Sequence, residues 1–261
     1  QHEGAQEGQK VMQVSALYRH PIKSHGREAI ERVHLSQGQS MPWDRVWAIT
    51  HEVSKFSTEK PAWASCYNFM IGARTPGLAG IWAKLDEETR VITLTHQDLE
   101  PLSFEPDNPK DSDRFLAWVA PLCPSNRAQP RGIVSVEGRS MTDTTYPSVS
   151  IMNTASHVAV ADALGSPITK ERWRGNIWLD DLAEWVELGW IGREISIGSA
   201  VLRVREPIER CQVTNTNPVT GQRDTATLDA LNSQFGHQNF GVYAEVITTG
   251  DIALGDTAKV I

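Results

Sequence analysis

Cys211 follows Arg210 directly, between a β-like run, Ile195 to Arg205, and the turn Asn217-Pro218-Val219-Thr220-Gly221. A thiol at a strand end beside a cation is placed to become a thiolate, the form that attacks and binds metals. Pro207 is expected to stop the ladder before it, because proline has no N–H to donate. In the turn, Pro218 brings a fixed φ and Gly221 tolerates φ > 0. The plain alternative is a buried cysteine acting as a small hydrophobe, the usual role of a lone Cys.

The other groups with chemical character are cations and hydroxyls. Lys23 and Ser24 sit in a loop, His20-Pro21-Ile22-Lys23-Ser24, and Arg45 lies in Trp43-Asp44-Arg45-Val46-Trp47. Asp44 gives Arg45 a second fate, a surface salt bridge worth little. Arg174 and Asn176 share the segment Trp173 to Trp178. A guanidinium fork suits a phosphate or a heterocycle edge, and an asparagine offers both donor and acceptor. The stretch Met141 to Ser148 is rich in hydroxyls, which suits an oxyanion site or a simple turn. His157 has no second His or carboxylate at metal-ligand spacing and reads as a packing residue.

These residues must be held by β-structure for the most part. Val11 to Arg19 and Ala29 to Leu35 alternate as strands, and Trp43 to Thr50 opens another. Gly80 to Leu85 and Arg90 to His96 form an antiparallel hairpin around Asp86-Glu87-Glu88-Thr89. Asp113 to Val119 is a short helix before Pro121, and Asn153 caps a helix from Thr154 to Leu164 that Gly165 closes. A polar stretch at 125–132 marks a boundary. The expected organisation is a loose tail at 1–10, a β-rich unit at 11–125 and a second unit at 126–261.

The chain has 261 residues, 40% hydrophobic and 22% charged, ordinary values for a globular protein. Its net charge of −7 argues against tracking nucleic-acid phosphates. Cys66, Cys123 and Cys211 lie 57 and 88 positions apart, which is neither a disulfide framework nor a zinc or iron–sulfur spacing. A reducing, cytoplasmic compartment is the expectation. No stretch has the length of a membrane span, and the start at Gln1 rather than Met leaves room for an upstream segment.

Five segments occur in an order that resembles the MOSC-domain family, the molybdenum-cofactor domain of cofactor sulfurases and amidoxime-reducing proteins. They are Pro21-Ile22-Lys23-Ser24, Asp44-Arg45-Val46-Trp47, Trp173-Arg174-Gly175-Asn176-Ile177, Arg210-Cys211 before Pro218-Val219-Thr220-Gly221, and Gly250-Asp251-Ile252-Ala253-Leu254-Gly255-Asp256. The chain departs from the family pattern at Gly175, where proline is usual, and at Lys60-Pro61, where arginine precedes the proline. The resemblance is nearest the amidoxime-reducing branch and implies a mainly β fold with a few short helices. In that fold an N-terminal β-rich subdomain packs on a C-terminal β-barrel-like MOSC domain. It implies a molybdenum–molybdopterin cofactor with Cys211 as metal ligand and catalytic residue. Lys23, Ser24, Arg45, Thr145, Ser148, Arg174, Asn176 and Arg210 would bind the cofactor.

The implied reaction is two-electron reduction of an N-hydroxylated substrate (amidoxime, hydroxylamine or N-oxide type), its oxygen leaving as water. No dinucleotide glycine fingerprint and no iron–sulfur spacing is present, so no intrinsic Fe–S, flavin or haem is expected. Electrons would come from a separate flavin, haem or ferredoxin-type protein. The alternatives are a non-redox carrier or sulfuration-related protein, and a metal-free binding module on the same scaffold.

Overall fold

The computed structural model describes residues 11–261; the segment 1–10, expected to be a loose tail, lies outside the described residues. In chain order the elements are β1 (Gln13–Arg19), β2 (Glu28–Ile30), β3 (Arg32–Leu35), β4 (Trp47–His51), β5 (Trp82–Leu85), β6 (Ile92–His96), β7 (Leu99–Phe104), α1 (Pro109–Val119) and β8 (Pro130–Ser135). Then follow β9 (Val149–Asn153), α2 (Thr154–Leu164), β10 (Ile177–Asp180), β11 (Glu194–Ile197), β12 (Ala200–Glu209), α3 (Thr227–Ala230), β13 (Asn239–Thr248), β14 (Gly250–Ala253) and β15 (Ala258–Val260). The fold is mainly β with three short α-helices, as expected.

Eight strands make one curled sheet in the order β15-β11-β12-β13-β9-β10-β1-β2. Its one parallel pair, β9 with β10, is joined through α2, as a crossover connection requires. Residues of one face, among them Val14, Leu17, Ile151, Ile177, Leu202 and Val242, fill the inner core. The opposite face contributes Met152, Trp178 and Phe240 to a second core under α2, and Trp173 joins them from the turn before β10. Trp173 lies flat on Phe240, with ring centroids 3.7 Å apart. Asn153 caps α2 by accepting from Ala155 N, and Gly165 ends it at φ 65°.

The remaining strands form a pair, β4 with β8, and a three-stranded sheet, β5-β6-β7. Ile49, Leu78, Ile92, Leu94, Phe104 and Phe115 are the core between them and α1. The expected hairpin is present, with Trp82 opposite Thr95 and Leu85 opposite Ile92. The helix starts earlier than expected, because Asn108 caps it and Pro109 opens it.

Sequence order and packing order differ. The expected strand Ala29 to Leu35 breaks at Glu31: β2 pairs with β1, whereas β3 pairs with β14 near the chain's end. β1 and β2, from the first 30 residues, therefore complete the sheet built within 149–261, and β3 forms a separate pair with β14. Conversely β8, beyond the expected boundary, pairs with β4 before it. Among the described residues no helix is long and apolar enough to cross a membrane.

Two local expectations need correction. Trp43 to Val46 is not strand, because Trp43 and Arg45 take φ of 61° and 54° in a turn, and β4 begins only at Trp47. Pro207 does not end the ladder either: β12 runs on to Glu209, with Pro207 opposite Val242 and the register shifting on both sides of it. A bulged register leaves the missing N–H without a required partner.

Candidate functional site

A cavity of about 260 Å³ opens where the eight-stranded sheet meets the Lys23 loop and the segment after β4. Lys23, Ser24, Arg45, Arg174, Arg210 and Cys211 line it, joined by Cys66, Asp143, Ser150, Trp173 and Tyr243. Residues far apart in sequence are thus gathered around one space.

Backbone geometry explains how. The Lys23 loop is pinned at its amide, which donates to Trp47 O at 2.7 Å, and Ser24 turns at φ 63°. Lys23 itself is buried, with Nζ donating to Met141 O at 2.8 Å and to the Asp143 carboxylate. Burial works against the Asp143 carboxylate, but Lys23 and Arg45 outweigh it and hold its pKa below the usual range. The turn at Arg45 is tied at both ends, its amide to His20 O and its carbonyl to Met141 N, each at 2.7 Å.

Arg45 pairs with Asp44, which has no exposed side-chain surface, so the surface salt bridge considered for this pair is instead a buried one. Burial opposes the Asp44 carboxylate too, yet Arg45 and the hydrogen bond from His20 keep it well below the ordinary carboxylate range. His20, beside it, is pushed down to about 3 by burial and by Arg174, so it is neutral at physiological pH.

Arg174 closes a 3₁₀ turn in the left-handed region, φ 50°, and sends Nη2 to Gly26 O at 3.1 Å. The glycine after it has a packing cause: a Cβ at Gly175 would lie 2.3 Å from Met152 Cγ. Arg210 leaves β12 inward; Nη1 donates to Trp173 O at 2.8 Å and Nη2 to Phe240 O at 2.6 Å. Neither Arg174 nor Arg210 has an ion pair with a carboxylate among the described residues. Burial and the neighbouring Arg45 push Arg174 down to about 9, and burial pushes Arg210 down to about 10. Both remain charged at neutral pH; Asp44 and Asp143 act on Arg174, and Asp143 on Arg210, only through space and are themselves paired with Arg45 and Lys23, so the cavity wall holds an excess of positive charge. Cys211 is exposed beside them, with its carbonyl accepting from Thr214 N and Oγ1 at 3.2 and 3.1 Å.

Three expected cofactor contacts stand elsewhere. Thr145 is exposed and Ser148 is buried, accepting from Thr144 Oγ1 at 2.8 Å, and neither lines the cavity. Asp143 and Ser150 line it from the same region instead, since β9 begins at Val149 and its alternation turns Ser150 to the cavity. Asn176 is buried with both amide hydrogens and its oxygen already engaged. It donates to Tyr18 O and to Asp44 Oδ1, and it accepts from Ser150 N and Oγ. That makes it a stitch between strands rather than a free recognition group. His157 is likewise internal, accepting from Trp173 Nε1 at 2.9 Å, and Cys123 packs against the core beside α1.

The sequence reading missed Tyr243 and Cys66. Tyr243 reaches the cavity because Gly241, at φ 74°, interrupts alternation in β13. Three steps along β13, Asn239 to Val242, oppose two along β12, Glu209 to Pro207. A glycine inside a strand pattern is the available signal of such a bulge. Burial raises the Tyr243 phenol above its usual pKa, and no hydrogen-bond partner of its hydroxyl is found among the described residues. For Cys66, which burial also raises, the sequence offers no signal.

Among the described residues no cluster of three or more His, Cys, Asp or Glu could hold a metal ion. A metal in this cavity would find two cysteines in the wall, Cys66 and Cys211, and would need to bring most of its ligands with it.

Comparison with known proteins places this architecture. Residues 11–121 match the family described as MOSC N-terminal beta barrel domain, and residues 142–259 match the MOSC domain. Among curated proteins, molybdenum cofactor sulfurase of Drosophila ananassae is 36% identical over 97 residues, covering 35% of this chain and 12% of that protein. The Anopheles gambiae protein of the same name is 32% identical over 84 residues, covering 32% and 11%. The chain therefore corresponds to a small part of these relatives. Among solved structures, the YUAD protein from Bacillus subtilis is 12% identical, covers 96% of each chain and has a TM-score of 0.43. YiiM from Geobacillus stearothermophilus is 21% identical, covers 43% of this chain and 53% of that one, with a TM-score of 0.35. With an N-terminal β-barrel unit and a MOSC domain matched in order along most of its length, the chain belongs to the MOSC-domain family.

Proposed function

We propose that the chain binds a molybdenum–molybdopterin cofactor in this cavity and reduces N-hydroxylated substrates with electrons from a separate protein. One observation carries the reading: two buried guanidinium groups without carboxylate partners and an exposed thiol line the same cavity. The donor set fits such a group. Cys211 would be the soft sulfur ligand to the metal, and Arg174, Arg210 and Lys23 would face the anionic chelate and its phosphate. Bound there, the cofactor would supply a two-electron redox centre competent in oxygen transfer.

The chain's own residues would orient and protonate. Arg45 is fixed by Asp44 and in turn holds the carbonyl of Arg174 at 3.2 Å, so the second guanidinium is presented by the first. The Tyr243 phenol, kept protonated by burial, offers a hydrogen bond to an oxygen held in the cavity. Asp143 stays ionised and keeps Lys23 in place.

The test is turnover: protein expressed in a cofactor-competent host, given reduced viologen, should consume benzamidoxime. Cys211→Ala should remove both activity and bound molybdenum. A Cys211→Ala variant with the parent's molybdenum content would sink the assignment. The name of the curated relatives favours a second reading, a cofactor carrier or sulfuration-related protein. Stoichiometric cofactor release without turnover would select that one.

A further inference from the structure

Arg27 is a charged residue in an expensive place. It lies in the loop between β1 and β2, is 1% exposed, and its hydrogen-bond partners among the described residues are all backbone carbonyls. Nη1 donates to Ala79 O at 2.6 Å and to Ile81 O at 3.2 Å. Nη2 donates across to Pro218 O, and the guanidinium lies 3.9 Å over the Trp82 ring. Burying a guanidinium against carbonyls adds little that an apolar side chain of equal volume would not supply. What a methionine could not do is fix a distant carbonyl by a directed, charge-assisted bond.

Pro218 belongs to the turn behind Cys211, and that turn is rigid within itself. Gly221 N donates to Asn217 O at 2.9 Å, Asn217 N to Gln222 O at 2.7 Å, and Val219 N to Asn217 Oδ1 at 2.8 Å. Between Cys211 and the turn, Thr214 binds the Cys211 carbonyl and meets Thr227 Oγ1 at 2.7 Å. Asp224 ties this segment to the turn, its amide donating to Asn215 O at 3.1 Å and its carboxylate accepting from Asn217 Nδ2 at 2.8 Å, so the backbone of Cys211 and the turn form one connected piece, and the part of the chain before β8 grips it. Arg223 Nη2 reaches Ala73 O at 2.7 Å, a Cβ at Gly221 would lie 2.8 Å from Gly77 Cα, and a Cβ at Gly72 would lie 2.7 Å from Val213 Cγ2.

We infer that Arg27 is a positioning residue: through the Pro218 carbonyl it fixes where the Cys211 thiol stands in the cavity. Its consequence for the cofactor rests on the function proposed above, whereas the placement of the thiol does not. Cys211 is exposed already, so the readout is where its thiol stands: held beside Arg174 and Arg210 it should favour anionic iodoacetate over neutral iodoacetamide, and this preference is the ratio of the two alkylation rates at Cys211 in the full chain without cofactor, by peptide mass mapping. The same ratio at Cys123, half-buried in the core beside α1, is the internal reference.

Arg27→Met should lower the Cys211 preference, taken relative to Cys123, on the order of threefold, as the thiol spends less time beside the guanidinium groups. Arg27→Lys, which keeps the charge, should recover part of the preference. Trp82→Leu, at a partly exposed ring, should lower the ratio by a smaller factor. A folded Arg27→Met chain with an unchanged ratio, or with the same change at both cysteines, overturns the inference. If Arg27→Met does not fold, Trp82→Leu decides, and an unchanged ratio there has the same force. In cofactor-loaded protein, X-ray absorption should show fewer sulfur neighbours of molybdenum in Arg27→Met. A lowered ratio in a chain that never takes up molybdenum keeps the role of Arg27 and removes the cofactor reading.

Discussion

Asn176 and Glu187 show how a single polar side chain is judged by what it is already bonded to. Asn176 has spent both donors and its acceptor oxygen inside the protein. Asn176→Ala strands several buried partners and should cost about 3 kcal/mol in urea denaturation, at 1–3 kcal/mol for each group left unsatisfied. Loss of molybdenum at unchanged stability would instead make it a ligand contact. Glu187 is fully buried, accepting from Asn153 Nδ2 at 2.7 Å and Ser156 Oγ at 2.9 Å with no cation beside it. Burial raises its pKa despite those bonds. A carboxyl whose folded pKa exceeds the unfolded one stabilises fully below the unfolded pKa and loses that contribution as pH rises through the folded value. The Tm of the parent relative to Glu187→Gln should therefore fall from pH 4 toward neutrality. A difference that is flat or grows with pH contradicts this.

At the scale of an element, the bulge in β13 decides which residues face the cavity. Gly241 has φ 74°, and a Cβ there would lie 2.6 Å from Met152 Sδ and 2.8 Å from Ile151 O. Gly241→Ala combines left-handed strain with a backbone clash and should cost about 3 kcal/mol or more. Gly138, at φ 66° with nothing within 4 Å, isolates the strain alone, so Gly138→Ala should cost about 1 kcal/mol. Chemical denaturation of the two variants separates the contributions, and equal costs would mean that the bulge has room to relax. Much of this level was legible: α2 matches its cap and stop signals, and β5–β6 matches its turn signal. Pro207 and Arg45 were misjudged because bulged registers and left-handed turns are tolerated only where surrounding packing compels them.

For the whole molecule, the linear division into 11–125 and 126–261 does not coincide with the sheets. β1 lies between β10 and β2 in the large sheet, and β14 finds its partner in β3. A chain of residues 126–261 alone would leave the β10 edge and β14 unpaired and the inner core without Val14, Leu17, Val33 and Leu35. Its NMR amide dispersion and thermal melt should show no cooperative fold, while the chain of 11–261 should melt cooperatively. A cooperative melt of the short chain would make the N-terminal strands dispensable.

The residue types and their spacing determined the family resemblance, the β-rich class, the helix around 154–164, and Cys211 with Lys23, Ser24, Arg45, Arg174 and Arg210 as groups worth bringing together. These were legible because caps, turns and alternation act within a few residues of chain. Tertiary structure alone decided that those six line one cavity, that Asn176 is spent on stitching strands, and that Asp143, Ser150 and Tyr243 look inward in place of Thr145 and Ser148. Facing is set by where a strand begins, where a bulge shifts its register, and which distant carbonyl a guanidinium meets, and none of these is a local property of the chain.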